Sequence, residues 1–210
     1  MCGRITLTHK LEEIYKRFKV DLHDEYDEIY QAEMSKPRYN IAPSQHITCI
    51  TSDRKLEYMK WGLVPSWATD SSIGYKTFNA RAETVDTKPA FRASFAKRRC
   101  LIPVSGFYEW KREGKKKSQP FLISMKSGEL FALAGLWDSW KSPDGVELKS
   151  CTIITTTPNE MMKPIHDRMP VILQQEFEDE WFVANIQAAK RLLRPFDVQS
   201  MLDIKSVSIL

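Results

Sequence analysis

A cysteine directly behind the initiator methionine, in Met1-Cys2-Gly3-Arg4, carries the sharpest chemical possibility in the chain. Initiator methionine is normally excised before so small a side chain, which leaves Cys2 with a free α-amine and a thiol on adjacent carbons. Such a 1,2-aminothiol traps aldehydes: the amine condenses to a Schiff base, as amines do with carbonyls in covalent catalysis, and the thiol then closes a thiazolidine ring. An α-amine with a pKa of about 7.7–8.0 is partly neutral, and so nucleophilic, near physiological pH. Taken alone, Cys2 reads equally well as an ordinary second residue.

Three polar clusters sit where packing does not call for them. Asn79-Ala80-Arg81-Ala82-Glu83-Thr84 gathers an amide, a guanidinium and a carboxylate. If the segment is extended, alternate residues share one face that could meet a ligand; the plain reading is an edge segment with a surface ion pair. Gly106-Phe107-Tyr108-Glu109-Trp110 sets one carboxylate among three aromatics. Those surroundings penalise ionisation and raise a carboxyl pKa towards neutrality, as a proton shuttle requires, although an exposed edge glutamate fits the same spacing. Pro164-Ile165-His166-Asp167-Arg168-Met169-Pro170 holds a histidine between two prolines, so the backbone is constrained while the imidazole can exchange a proton near pH 7. His9, His23 and His46 lack comparable settings. Trp61-Gly62-Leu63-Val64-Pro65-Ser66-Trp67 presents indoles that, with Pro43, could stack on or wedge between bases, each stack contributing about 1–3 kcal/mol. Core packing competes as an explanation, and we expect Trp61 to be buried and Trp67 to face a ligand.

The elements that must position these groups form a β-rich chain. Segments 46–51, 56–61, 99–104, 120–125, 130–137 and 150–156 are dominated by Ile, Leu, Val, Thr and aromatics and read as strands. Lys126-Ser127-Gly128-Glu129 and Ser142-Pro143-Asp144-Gly145 read as hairpin or loop turns, and Arg112-Glu113-Gly114-Lys115 as a charged turn. Leu11, Ile14, Tyr15 and Phe18 fall at helical spacing behind a candidate N-cap, Thr8. Thr87 with Pro89 predicts a helix carrying Phe91 and Phe95. Thr157-Pro158-Asn159-Glu160 fits a capping box with proline at the first helical position, and Glu176 to Leu193 one or two further helices. Residues 20–37 are polar, acidic and weakly periodic. Strands dominate without β-α alternation, so the expected class is α+β: a mixed, curved or barrel-like β-sheet flanked by several helices, as a single domain over 1–210.

Composition excludes several classes of function. With 42% hydrophobic and 28% charged residues the chain is neither disordered nor fibrous. No apolar run reaches the roughly 18 residues of a membrane span and the start lacks a signal-peptide core, so a cytoplasmic protein with no membrane partner is expected. Cys49, Cys100 and Cys151 are isolated in apolar segments and form no C-x-x-C pair, which predicts buried free thiols and no metal. The net charge of +4 permits a polyanionic partner without demanding one. Lys97-Arg98-Arg99 and Lys115-Lys116-Lys117 could track phosphates, but such runs are usually solvated turns.

Met-Cys-Gly-Arg at the start, Asn-Ala-Arg-x-Glu at 79–83, Phe-Tyr-Glu-Trp at 107–110 and His-Asp-Arg-Met-Pro at 166–170, in this order, resemble the SOS response-associated peptidase (SRAP) family across essentially the whole chain. Its members bind and covalently cap abasic sites in single-stranded DNA. The resemblance implies a barrel-like fold with a positively charged groove leading to Cys2. It implies that Cys2 is the nucleophile, that Glu109 shuttles protons, that His166 assists opening of the sugar ring, and that Asn79 orients the cysteine or the sugar. It places Arg4, Asn40, Pro43, Trp67, Arg81 and Arg168 along the DNA, with the arginines at phosphates. It further implies a monomer without cofactor, found at the nucleoid when bound to DNA near strand junctions, and weak lyase activity from the same Schiff base. Two other classes fit the residues: an N-terminal-nucleophile peptidase that also removes its own Met1, and a non-covalent reader of damaged or modified DNA.

Overall fold

The structure, a computed structural model, describes residues 2–20, 32–111, 119–197 and 202–207. Along the chain run β1 (Ile5–Leu7), α1 (Leu11–Phe18), β2 (Arg38–Ile41), β3 (His46–Ile50), β4 (Leu56–Trp61), β5 (Asn79–Arg81), α2 (Arg92–Lys97), β6 (Arg99–Val104), β7 (Gly106–Lys111), β8 (Gln119–Met125), β9 (Phe131–Lys141), β10 (Glu147–Thr156), β11 (Met169–Pro170), β12 (Ile172–Leu173), α3 (Glu178–Val183), α4 (Ile186–Leu192) and β13 (Leu202–Ser206). The class is α+β, as the strand-rich pattern predicts.

Five strands close on themselves: β10 pairs with β4, β4 with β3, β3 with β6, β6 with β9, and β9 returns to β10. Only the β10–β4 pairing is parallel, so the barrel is mixed. β6 and most of β9 read as continuous apolar runs because nearly every residue in them is buried. A second, antiparallel sheet in the order β13-β8-β7-β1-β2 shares the same hydrophobic core. The last four residues of β10 carry β5 in parallel and β11 antiparallel.

Several local expectations change. Thr8 does not cap α1; its N–H donates to Ser105 Oγ at 2.8 Å, and the helix starts behind Lys10, whose N–H is met by the Glu13 carboxylate at 2.8 Å. Residues 82–91 form successive turns, and α2 begins only at Arg92, because the Lys88 carbonyl accepts from both Phe91 and Arg92. The predicted helix after Thr157 is a set of turns capped by Asn159, whose Oδ1 accepts from Met162 N–H at 3.0 Å. Ser142–Gly145 is a hairpin turn between β9 and β10, with Gly145 at φ +85°. Lys126–Glu129 instead carries the chain from the outer sheet into the barrel, since β8 and β9 belong to different sheets. The turn predicted at Arg112–Lys115 and the run Lys115–Lys117 lie outside the described residues.

Cys49, Cys100 and Cys151 come from three barrel strands and are free and fully buried. The Lys97–Arg99 run is not a phosphate track: Arg98 pairs with Asp138 at 3.1 Å, and buried Arg99 donates to the Trp181 carbonyl at 2.9 Å. Among the described residues no helix is long and apolar enough to cross a membrane.

Candidate active site

The site lies where the outer sheet meets the splayed end of β10. Antiparallel pairing sets Ile5 opposite Phe107 and Thr6 opposite Gly106, and Tyr108 N–H donates to the Arg4 carbonyl at 2.9 Å. Continuing that register lays Cys2-Gly3 beside Glu109-Trp110. From the barrel side, β5 delivers Asn79 next to Ile153, and the chain preceding β11 delivers His166. Asn79 ties the two halves together: its Nδ2 donates to the Cys2 carbonyl at 3.0 Å and to the Phe78 carbonyl at 2.8 Å. Buried Trp61 fixes the same Phe78 carbonyl through its indole N–H at 2.8 Å, so its role is structural.

Cys2 is fully buried and Glu109 nearly so. His166 Nε2 stands 3.9 Å from Glu109 Oε2, too far for a direct hydrogen bond but within strong electrostatic reach. Burial, with the Asp167 carboxylate adding to it, pushes Glu109 up to about 7. Burial, with Glu109 adding to it, holds the Cys2 thiol well above the usual range, so the sulfur is kept as S–H. The His166 ring is fixed from behind, with Nδ1 accepting the Arg168 N–H at 3.0 Å and lying 2.9 Å from Asp167 Oδ1. Arg168 in turn forks onto Glu83 at 2.6 and 3.0 Å and donates to the Thr155 carbonyl at 2.6 Å. That arginine holds the Glu83 carboxyl below its ordinary value.

The structure thus gathers Cys2, Asn79, Glu109 and His166 in one place. A buried carboxyl near neutrality beside an imidazole can pass protons both ways, and a neutral thiol next to an amine can close a ring on an imine. The strand-contact candidates spread outward from this centre. Arg4 donates to Asn40 Oδ1 at 2.7 Å, Pro43 follows β2 and is half-buried, and Arg81 is exposed at the end of β5. Trp67 is 58% exposed at the rim of a shallow hollow that includes Ile73 and Lys76. Arg168 is 8% exposed and already engaged by Glu83, so its fork serves the protein's own structure before any ligand. Glu83 is the residue whose part sequence reasoning missed. It belongs to the polar Asn79–Thr84 cluster, but its partner lies 85 residues away. Among the described residues no group of three or more His, Cys, Asp or Glu could hold a metal ion.

Comparison with known proteins shows what the chain as a whole is similar to. The family model described as SOS response associated peptidase (SRAP) matches residues 1–209. Abasic site processing protein YoqW of Bacillus subtilis is 46% identical over 207 residues, covering 96% of this chain and 90% of that protein. Abasic site processing protein HMCES of Rattus norvegicus is 35% identical over 180 residues, covering 70% of this chain and 51% of its own length. A crystal structure of a Bacteroides thetaiotaomicron protein superposes with a TM-score of 0.91 at 30% identity, covering 99% of this chain and 92% of that one.

Proposed function

The chain belongs to the SOS response-associated peptidase family, and from that premise we propose that it processes abasic sites, capturing the open-chain aldehyde of an abasic deoxyribose in single-stranded DNA through an unblocked Cys2. One observation carries the reading: Asn79 bonds the Cys2 carbonyl at 3.0 Å while a carboxyl raised to about 7 stands 3.9 Å from an imidazole at the same place.

On this reading Met1 is removed first, because an acylated nitrogen cannot condense with a carbonyl. His166 gives a proton to the sugar ring oxygen and so frees the aldehyde. Glu109 takes a proton as the Cys2 amine adds to the carbonyl carbon, then returns one to the departing hydroxyl, which leaves as water. The Cys2 thiol adds to the imine carbon, its proton passes to the ring nitrogen, and the thiazolidine is complete. Competing with ring closure, loss of the sugar proton next to the imine expels the neighbouring phosphate and cuts the strand. Asn79 holds the Cys2 backbone throughout. Arg4 and Arg81 supply positive charge for the phosphates, Arg168 keeps its charge matched by Glu83, and Asn40, Pro43 and Trp67 line the path of the strand.

The test is incubation with abasic single-stranded DNA followed by denaturing electrophoresis. A shifted band for wild type that is lost in Cys2→Ala supports capture. Salt-sensitive binding that is equal in both proteins, with no denaturant-resistant band, shows a non-covalent reader instead. Intact mass with Met1 retained in Glu109→Gln, but not in wild type, supports self-removal of that residue.

A further inference from the structure

His166 Nδ1 faces two incompatible neighbours. The Arg168 N–H, 3.0 Å away, can only donate and needs a bare Nδ1. The Asp167 carboxylate, 2.9 Å away, can only accept and needs Nδ1–H. A neutral imidazole satisfies one of them, and the choice decides whether the opposite nitrogen carries the proton. Asp167 is 89% exposed, so water replaces its bond to the ring at little loss, as for surface ion pairs in general. The Arg168 N–H is part-buried, and leaving it unmet costs about 1–3 kcal/mol. While Arg168 is held in place, the amide wins and the proton sits on Nε2, the nitrogen that faces Glu109.

What holds Arg168 in place is a second layer of contacts. Its guanidinium is nearly buried, forks onto both Glu83 oxygens and donates to the Thr155 carbonyl. The next residue, Met169, enters the ladder opposite Thr156. Glu83 is the anion that permits a buried guanidinium here, since a desolvated charge without its partner is strongly unfavourable. Without it the Arg168 side chain must turn to water and pull the 166–168 backbone with it. We propose that Glu83 is a positioning residue which, through its fork with Arg168, sets the Arg168 N–H against His166 Nδ1 and thereby selects the Nε2–H form of the imidazole. This rests on the abasic-site reading only for what that nitrogen does next: Nε2 is the one aimed at the ring oxygen, and it passes a proton there when the ring is imidazolium, leaving neutral imidazole.

Nitrogen-15 NMR of histidine-labelled, DNA-free protein, at a pH where the ring is neutral, reads the protonated nitrogen directly, with the His166 signals assigned by their absence in His166→Gln. Wild type should show a protonated Nε2 and a bare Nδ1. In Glu83→Ala the proton should move towards Nδ1 and the rate of crosslink formation should fall on the order of tenfold, part of what a positioned proton donor contributes. Removing the competitor as well, in Glu83→Ala with Asp167→Ala, should restore both the Nε2 proton and most of the rate, which a general loss of structure would not allow. Glu83→Gln keeps the side-chain shape and one acceptor, and should shift the signals the same way by less. Unchanged His166 signals in a folded Glu83→Ala or Glu83→Gln protein, or a wild type already protonated at Nδ1, overturn the proposal. A wild type that keeps the Glu83-dependent tautomer but forms no crosslink sinks the functional reading alone.

Discussion

At Cys2, Glu109 and His166 the chemistry follows from what surrounds each group rather than from its identity. Glu109 is held up to about 7 by burial, above the ordinary value of 4.5. A carboxyl raised on folding contributes stability that is complete below the unfolded value and is lost as pH rises through the folded one. Glu109→Gln should therefore gain on wild type as pH climbs from about 4.5 to above 7, by an amount on the order of 3 kcal/mol; chemical denaturation at several pH values checks it, and a pH-independent difference contradicts it. The Cys2 thiol is needed for ring closure but not for the imine, so Cys2→Ala should lose the stable crosslink and cut abasic strands more than wild type does, as seen on sequencing gels. The aromatic neighbours of Glu109 and the prolines around His166 made these two residues legible in the sequence. Asn79 was legible as a member of a polar cluster, but its bond to the Cys2 carbonyl spans 77 residues and has no local signal.

Among the elements, the segment from Trp61 to Asn79 decides whether the barrel side of the site arrives in register. Two glycines make it possible. Gly62 sits at φ +136°, where a Cβ would lie 2.5 Å from the Gly74 carbonyl oxygen. Thr77 Oγ1 then bonds the Leu63 carbonyl at 2.6 Å and returns the chain beside its own start. Gly62→Ala should destabilise the protein by about 2–3 kcal/mol from backbone strain alone, and the carbonyl clash adds to that. Thermal or denaturant unfolding measures the loss, and a change within error would show that the loop yields. Strands built from β-branched and apolar runs, β3, β4, β6 and β8 to β10, were readable from composition. The short strands β1, β2, β5, β11 and β12 were not, because they extend only where a distant partner offers its edge. The helix expected after Thr157 fails for a related reason: Asn159 Nδ2 is drawn to the Phe196 carbonyl at 3.1 Å, and β11 claims the chain soon afterwards.

For the molecule as a whole, strand content without β-α alternation was enough to name a curved or barrel-like α+β fold. Closure of the barrel was not readable, since it depends on β9 and β10 pairing both with each other and with strands formed much earlier in the chain. On the proposed function, the modest net charge of +4 leaves DNA affinity to local arginines rather than to the overall field. Binding to undamaged single strands should weaken with salt, and Arg81→Ala should reduce the log–log slope by about 0.7, the value for one phosphate left unneutralised on a single strand. Trp67→Ala should instead lower affinity by about 1–3 kcal/mol with the slope unchanged; fluorescence anisotropy across a salt series separates the two effects. On the proposed chemistry each copy reacts once, so its warhead has to stay intact for as long as the genome goes unharmed. The burial of Cys2, which keeps its sulfur protonated and slows its oxidation by peroxide, gives the protein that shelf life.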